Sequence, residues 1–258
     1  MKNTLQYASS HAIKLLATGL FVGSLWASAH AQEVEPPCGF LANAFGPFDY
    51  RPDHYKTVPG DQYSHAYKLH LVESAHFTVP VQRLTRGHSS ARPGPDLDYT
   101  LRAFPNNHRA LVTVLQAAKR FADPSQLGLP RTFECYFDRA LRFAPDDGVA
   151  RLIYANFLIQ GKRVDEAVQQ IDYTLTLAGD NPLTHFNIGM SYFDAGAYDK
   201  ALQQAHRVFA MGYTREDLKA RLEKIGRWAD AAPAPAVEAA SAPSVAPAAS
   251  AASAPGTP

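Results

Sequence analysis

The chain holds little of what dedicated chemistry requires. With 2 cysteines, 3 methionines and 2 tryptophans in 258 residues, it can build neither a cysteine-rich scaffold nor a multi-cysteine metal cluster. Neither His-Glu-x-x-His nor Cys-x-x-Cys occurs, and there is no glycine-rich phosphate loop and no Gly-x-Ser-x-Gly. The best-marked routes to zinc hydrolysis, dithiol exchange, nucleotide binding and serine-nucleophile catalysis are therefore missing. An excess of charge is missing too. The 25 Lys and Arg stand against 24 Asp and Glu, which leaves no basic field for nucleic acid or an anionic membrane. No apolar run after Trp26 approaches the roughly 20 residues of a membrane span.

What is present begins with a sorting signal. Lys2 and Lys14 precede an apolar run from Leu15 to Trp26, and small residues follow as far as Ala29-His30-Ala31. This is the pattern of a secretory signal peptide over 1–31, cleaved near Ala31, and it predicts a chain in the periplasm or secreted. Cys38 follows the cleavage point, but its flank Glu35-Pro36-Pro37 is polar and stiff, unlike a lipid-attachment site. Cys38 and Cys135 would both enter an oxidising compartment, where an even count reads as a possible disulfide; two unpaired buried thiols are the alternative. At the other end, residues 231–258 are almost all Ala, Pro and Ser with a single charge. They offer little apolar surface to set against ordering entropy, which predicts a disordered tail.

Between these ends lies a repeat. A shift of 34 residues, with no gap, lays "GVARLIYANFLIQGKRVDEAVQQIDYTLTLAG" over "PLTHFNIGMSYFDAGAYDKALQQAHRVFAMGY". Ala155 then falls on Gly189, Leu158 on Tyr192, Val164 on Tyr198 and Ala167 on Ala201. The period and the small residues resemble the tetratricopeptide repeat, whose unit is a pair of antiparallel helices. The resemblance implies close helix approach at Ala155 and Ala167, and again at Gly189 and Ala201, with Tyr192 as the large residue of the unit. "DAGAYDKAL", Asp194 to Leu202, would be the turn between its helices.

One further step of 34 puts Phe137, Ala140 and Pro145 in an earlier unit, whose first helix is "PNNHRALVTVLQAAKRF", Pro105 to Phe121. Pro105 suits the first helical position, and Ala110, Leu111, Val114, Leu115 and Ala118 form an apolar stripe at helical spacing. "ADPSQLGLP" makes the turn of this unit about nine residues too long for the 34-residue period. After Tyr213, Thr214 and Asp217 have capping-box spacing. Leu218, Leu222, Ile225 and Trp228 follow on one apolar face, as a closing helix requires. The expected fold is all-α: over 105–230, a short helical solenoid of about three helix pairs plus a capping helix.

The segment 32–104 shows no repeat. Gly46-Pro47 and Arg51-Pro52 break its start into turns and extended chain. "DQYSHAYKLHLVESAHF" has room for one short helix or strand, and "RGHSSARPGPD" reads as a loop. The segment is similar to a block of exported proteobacterial repeat proteins, a likeness that transfers no sites. Its aromatics, from Phe40 and Phe48 to Tyr99 and Phe104, are expected to pack on the first repeat and cap its open end.

Candidate functional residues fall into two sets. The repeat resemblance implies a concave groove, in which amides at two positions hold an extended peptide in some family members. Asn156 and Asn187 occupy those positions, and an amide offers both donor and acceptor to a backbone. An amide there also serves purely structural ends, bonding its own helix. Leu183, Phe186, Met190 and Phe193 would form an apolar floor, with Arg109 and Arg221 supplying charge. Leu152 and Asp217 stand where a carboxylate-clamping groove carries lysines, which argues against a C-terminal carboxylate as guest.

The second set is His54, His65, His70, His76 and His88, with "ESAH" giving one Glu-x-x-His. A dimetal carboxylate site needs two such copies. Asp98, Arg102, His108 and Arg109 fit a helix start as well as a catalytic cluster. The functional expectation is a non-enzymatic exported adaptor that binds an envelope or secreted protein and needs no cofactor. A metal-binding or catalytic protein, and a self-assembling subunit, remain the alternatives.

Overall fold

All regular structure among the described residues is helical, and the fold is all-α. The computed structural model describes residues 35–56 and 63–230; the sorting signal read in 1–31 and the tail read in 231–258 lie outside the described residues. Ten α-helices occur among the described residues: α1 His65–His76, α2 Val79–Gln82, α3 Gly94–Ala103, α4 His108–Arg120, α5 Phe133–Phe143, α6 Gly148–Gln160, α7 Val164–Leu177, α8 Pro182–Asp194, α9 Tyr198–Ala210 and α10 Asp217–Lys224. None is long and apolar enough to cross a membrane.

Side-chain caps start half of these helices. Ser64, Asn107, Thr132, Asp147 and Asn181 each accept a hydrogen bond from a free N–H of the first turn. Such a cap contributes about 1 kcal/mol. Pro182 then sits at the first position of α8, where its missing N–H costs nothing.

The 34-residue offset is reproduced in the helices themselves. It separates the starts of α6 and α8 and the starts of α7 and α9. Each pair is joined by three residues, and the second of the three, Lys162 or Gly196, is left-handed. α6 packs chiefly on α7 and α8 chiefly on α9, while α6 also meets α4 and α8, and α10 closes against α8 and α9. Ala155, Ala167 and Ala201 are fully buried. Gly189 has to be small: a methyl group there would lie 2.5 Å from Leu218 Cδ2 and 3.0 Å from Gln204 Cβ.

Several boundaries differ from the sequence reading. Pro105 is not the first residue of α4; Phe104 to Asn107 form a tight turn, and Asn107 caps a helix that begins at His108. Thr214 does not cap α10, which starts at Asp217 without a side-chain cap. Of its expected apolar face, Leu218 and Leu222 are buried, Ile225 is exposed, and Trp228 lies beyond the helix against His206 and Phe209. The long turn "ADPSQLGLP" is packed: Leu127, the last residue of a short 3-10 turn, and Leu129 just beyond it are core residues.

Among its described residues the segment 32–104 is irregular over 35–56, apart from a 3-10 turn at Pro52–His54, and over 83–93. From His65 it carries α1, α2 and α3; α1 and α3 have no readable period because polar side chains share their buried faces, and α2 is too short to show one. α1 buries Lys68 beside Val72, and α3 buries Asp96, Asp98 and Thr100 between Leu97 and Leu101. Its aromatics do not mainly cap the repeat. Phe45, Phe48, Tyr50 and Tyr99 gather round Phe104, Val72 and Ala103 as a small core of their own. Phe77 joins the core formed by α3 to α6, and Tyr63 and Tyr67 stack on each other in solvent.

A disulfide between Cys38 and Cys135, with Cα atoms 5.1 Å apart, anchors this segment to α5. Beside it, the buried Arg139 guanidinium donates to the Cys38 and Phe40 carbonyls, and Arg142 donates to Gly39 O at 2.9 Å. In the chain-entropy model, closing a loop of this length stabilises by about 4 to 5 kcal/mol. The Cys38→Ser/Cys135→Ser variant is therefore expected to lose about 2 to 5 kcal/mol in urea unfolding; an unchanged midpoint would assign the anchoring to Arg139 and Arg142.

Gly94, at the start of α3, is the second glycine fixed by close approach. A Cβ there would lie 2.4 Å from Leu127 O and 2.6 Å from Leu129 N, both rigid backbone. Gly94→Ala is expected to destabilise by about 1 to 3 kcal/mol, seen as a lowered thermal midpoint; no change would mean that the 127–129 backbone moves freely.

Candidate functional site

An open cavity of 690 Å³ is lined from α2, α4 and α6 and the chain entering α2. α4 is strongly two-faced. Ala110, Leu111, Val114 and Ala117 point into the core, while Arg109, Val112, Thr113 and Gln116, at spacings of three and four, line the cavity. α6 adds Val149 and Ile153, one turn apart, and α2 adds Val79, Gln82 and Arg83. Val79, Val112 and Val149 are 55%, 38% and 49% exposed. Three branched apolar side chains thus face solvent across one cleft.

The walls are set by a buried polar network behind α4 and α6. Asp147, 1% exposed, caps α6 by accepting from the Val149 and Ala150 N–H groups. The same carboxylate accepts from Asn106 Nδ2 and His108 Nε2, each at 2.8 Å. Asn106 also donates to Asp49 at 2.8 Å and accepts from the Tyr50 N–H at 2.9 Å. Arg51 closes the set, pairing with Asp49 at 2.7 Å and Asp146 at 3.0 Å. On the cleft side, Glu73 accepts from Asn107 Nδ2 and from Arg109, which also lies over the Phe77 ring.

The eight residues read from sequence as a groove do not form one site. Arg109 lines the cleft, already engaged by Glu73 and Gln82. Asn187 is exposed at the edge of a smaller cavity of 180 Å³ with Leu152, Thr184 and Arg51, and Val149 lines both cavities. Asn156 donates to Leu152 O at 3.0 Å and so serves its own helix. Phe186 is a correction: it is 3% exposed, packed against Tyr213 and covered by Arg215. Leu183 is exposed. Met190 and Phe193 lie beneath Arg221, whose guanidinium is 4.2 Å from the Phe193 ring and also pairs with Asp194.

The missed residues left unequal signals. Val149 stands 34 residues before Leu183, so the register that singled out Leu183 pointed to it as well. Nothing in the sequence marked Val79, Gln82 or Arg83, because a four-residue helix has no period to read.

The histidines are dispersed. His65 bonds Asp49 O, His54 lies by Asp146, His76 bonds Asp96 and stacks on Tyr99, and His108 bonds Asp147. Among the described residues no three His, Cys, Asp or Glu side chains converge to hold a metal ion. Comparison of the chain with protein-family models, curated proteins and solved structures returns no match.

The buried carboxylates give the network a pH signature. Burial pushes Asp147 up, but hydrogen bonds from His108, the Ala150 N–H and Asn106 outweigh it and hold the group below the usual carboxylate range. Against the same opposing burial, Arg51 and Asn106 hold Asp49 at about 2. Both values are depressed on folding, so the stability they contribute is present above the unfolded value near pH ~4 and is lost as the pH falls through the folded values. Unfolding free energy is expected to drop between about pH 4 and pH 2, with a shallower slope in Asp49→Asn. An identical slope in that variant would place the acid sensitivity elsewhere.

Proposed function

We propose that this chain is a non-enzymatic, exported adaptor of the tetratricopeptide type, a short helical solenoid that holds a segment of an envelope or secreted protein in the cleft between α2, α4 and α6. One observation carries the reading: three exposed valines from three helices share an open cleft of 690 Å³. A contiguous exposed apolar surface marks an interaction site. The repeat period supports the solenoid, and the signal-like start together with the disulfide supports export. The guest fits as an extended segment or the apolar face of a helix, the two modes by which grooves of this kind read peptides.

The test is capture from envelope extract by the mature chain beside Val112→Asp and Val149→Asp, followed by binding of the purified partner. A partner retained by wild type, lost with both variants and bound again in purified form is the expected result. Equal binding by all three proteins would refute the cleft as the docking surface.

A further inference from the structure

We propose that the segment held in this cleft is acidic as well as aliphatic, with carboxylates that pair to Arg83 and Arg120 while branched side chains sit on Val79, Val112 and Val149. The inference rests on the cleft reading above and adds the chemistry of the guest.

Arginines in this chain are usually paired with an acid. Most of those in the described residues lie within 4.0 Å of a carboxylate, from Arg51 with Asp49 to Arg221 with Asp194. Arg139 and Arg151, which lack one, are largely buried and donate to carbonyls. Arg86, Arg92 and Arg227 also lack a carboxylate but lie outside the cleft; Arg83 lines it, and its exposed guanidinium has no hydrogen bond or ion pair among the described residues. Arg120, from the last turn of α4, reaches back to donate to Arg83 O at 3.2 Å, and it too lacks a carboxylate. Arg120 is thereby tied to the turn that carries Arg83, at the end of the α4 face that lines the cleft, and no acid lines the cavity.

The backbone holds this edge in place. After α2 the chain turns through Leu84, which is 5% exposed and has a φ of 58°, a left-handed conformation that leucine adopts only under constraint. The Leu84 and Thr85 N–H groups bond back to Val81 O and Pro80 O, each at 3.0 Å. The buried leucine fixes the end of α2 and with it the base of the Arg83 side chain. The acids that touch the lining residues are engaged elsewhere: Glu73 accepts from Asn107 and Arg109, Asp147 from His108 and Val149, and neither pairs with Arg83.

An anionic ligand could in principle be a nucleic acid, a phosphate or a peptide. The floor decides between them. Single-stranded nucleic acid requires exposed aromatic rings for its bases, and the one aromatic here, Phe77, is 2% exposed. A bare phosphate leaves the three valines uncovered. An extended peptide satisfies both features, since successive side chains reach opposite ways and each guanidinium can take a carboxylate bidentately. The span from α2 across α4 to α6 covers two interhelical spacings of about 9 Å, or roughly five residues of extended chain.

The experiment uses the full mature chain to select from a display library of random linear peptides, and measures the enriched peptides by fluorescence anisotropy at low and high salt. Expected are sequences alternating Asp or Glu with Val, Ile or Leu, weakened roughly tenfold or more by Arg83→Glu/Arg120→Glu and by added salt. They should also be lost with Val112→Asp. Enriched aliphatic peptides that need Val112 but are indifferent to the arginine pair would overturn the acidic guest and leave the cleft reading standing. Peptides indifferent to Val112→Asp, or no enrichment, would overturn both. Arginine-dependent binding of polyuridine or polyphosphate without any peptide would overturn the peptide class. Both arginines are exposed, so unchanged thermal midpoints verify that the variants remain folded.

Discussion

The structure depends on one buried carboxylate. Asp147 is almost wholly inside the protein, yet four donors from three parts of the chain converge on it: two N–H groups of α6, His108 at the start of α4, and Asn106 just before it. A buried charge left without partners costs about 3 to 5 kcal/mol, so each part is held where Asp147 requires it. The helix cap gives the charge its backbone partners, and Asn106 passes the constraint on to Asp49 and Tyr50. The cleft inherits its geometry from this point, because Val149 lies in the first turn of α6 that Asp147 caps and Val112 lies one turn beyond His108.

A second buried acid performs the same task on the opposite side. Asp98 in α3 accepts from Tyr136 Oη at 3.0 Å, from Arg102 Nε at 2.9 Å, and from Arg131. Burial first, then the nearby Asp98 charge, pushes the Tyr136 phenol far above its ordinary value, so it stays a donor at any physiological pH. Together with the disulfide and Arg139, this adds covalent and polar ties to the apolar packing of Leu97 and Leu101 with α5, where α6 to α10 rely chiefly on aliphatic and aromatic packing.

That division explains what could be read in advance. In α6 to α9 the chain states its structure in period and size: Ala155, Gly189, Ala167 and Ala201 are small because helices meet there, and the 34-residue offset fixes where each helix begins. The pairing of Cys38 with Cys135 was also within reach, since only one intramolecular partner existed. Residues 65–103 were not legible, because Lys68, Asp96, Asp98 and Thr100 are buried through hydrogen bonds and rings that hydrophobic pattern cannot register. The candidate site was legible in part. The repeat register pointed to Val149 on α6 through Leu183, but Phe186 is turned inward to Tyr213, no residue of α8 lines the cleft, and the cleft lies toward α2, whose four residues carry no pattern.

The disulfide has a consequence of a different kind, one of topology. Cys38 and Cys135 are separated by 97 positions in the chain, so the covalent molecule is a closed ring carrying α1 to α4, with α6 to α10 as an open strand attached at α5. Any single backbone cut between the two cysteines linearises the ring without dividing the molecule, whereas a cut beyond α5 severs it. Loss of order likewise begins from unequal starting points. The ring retains part of its shape even when every helix has melted, while the open strand retains none.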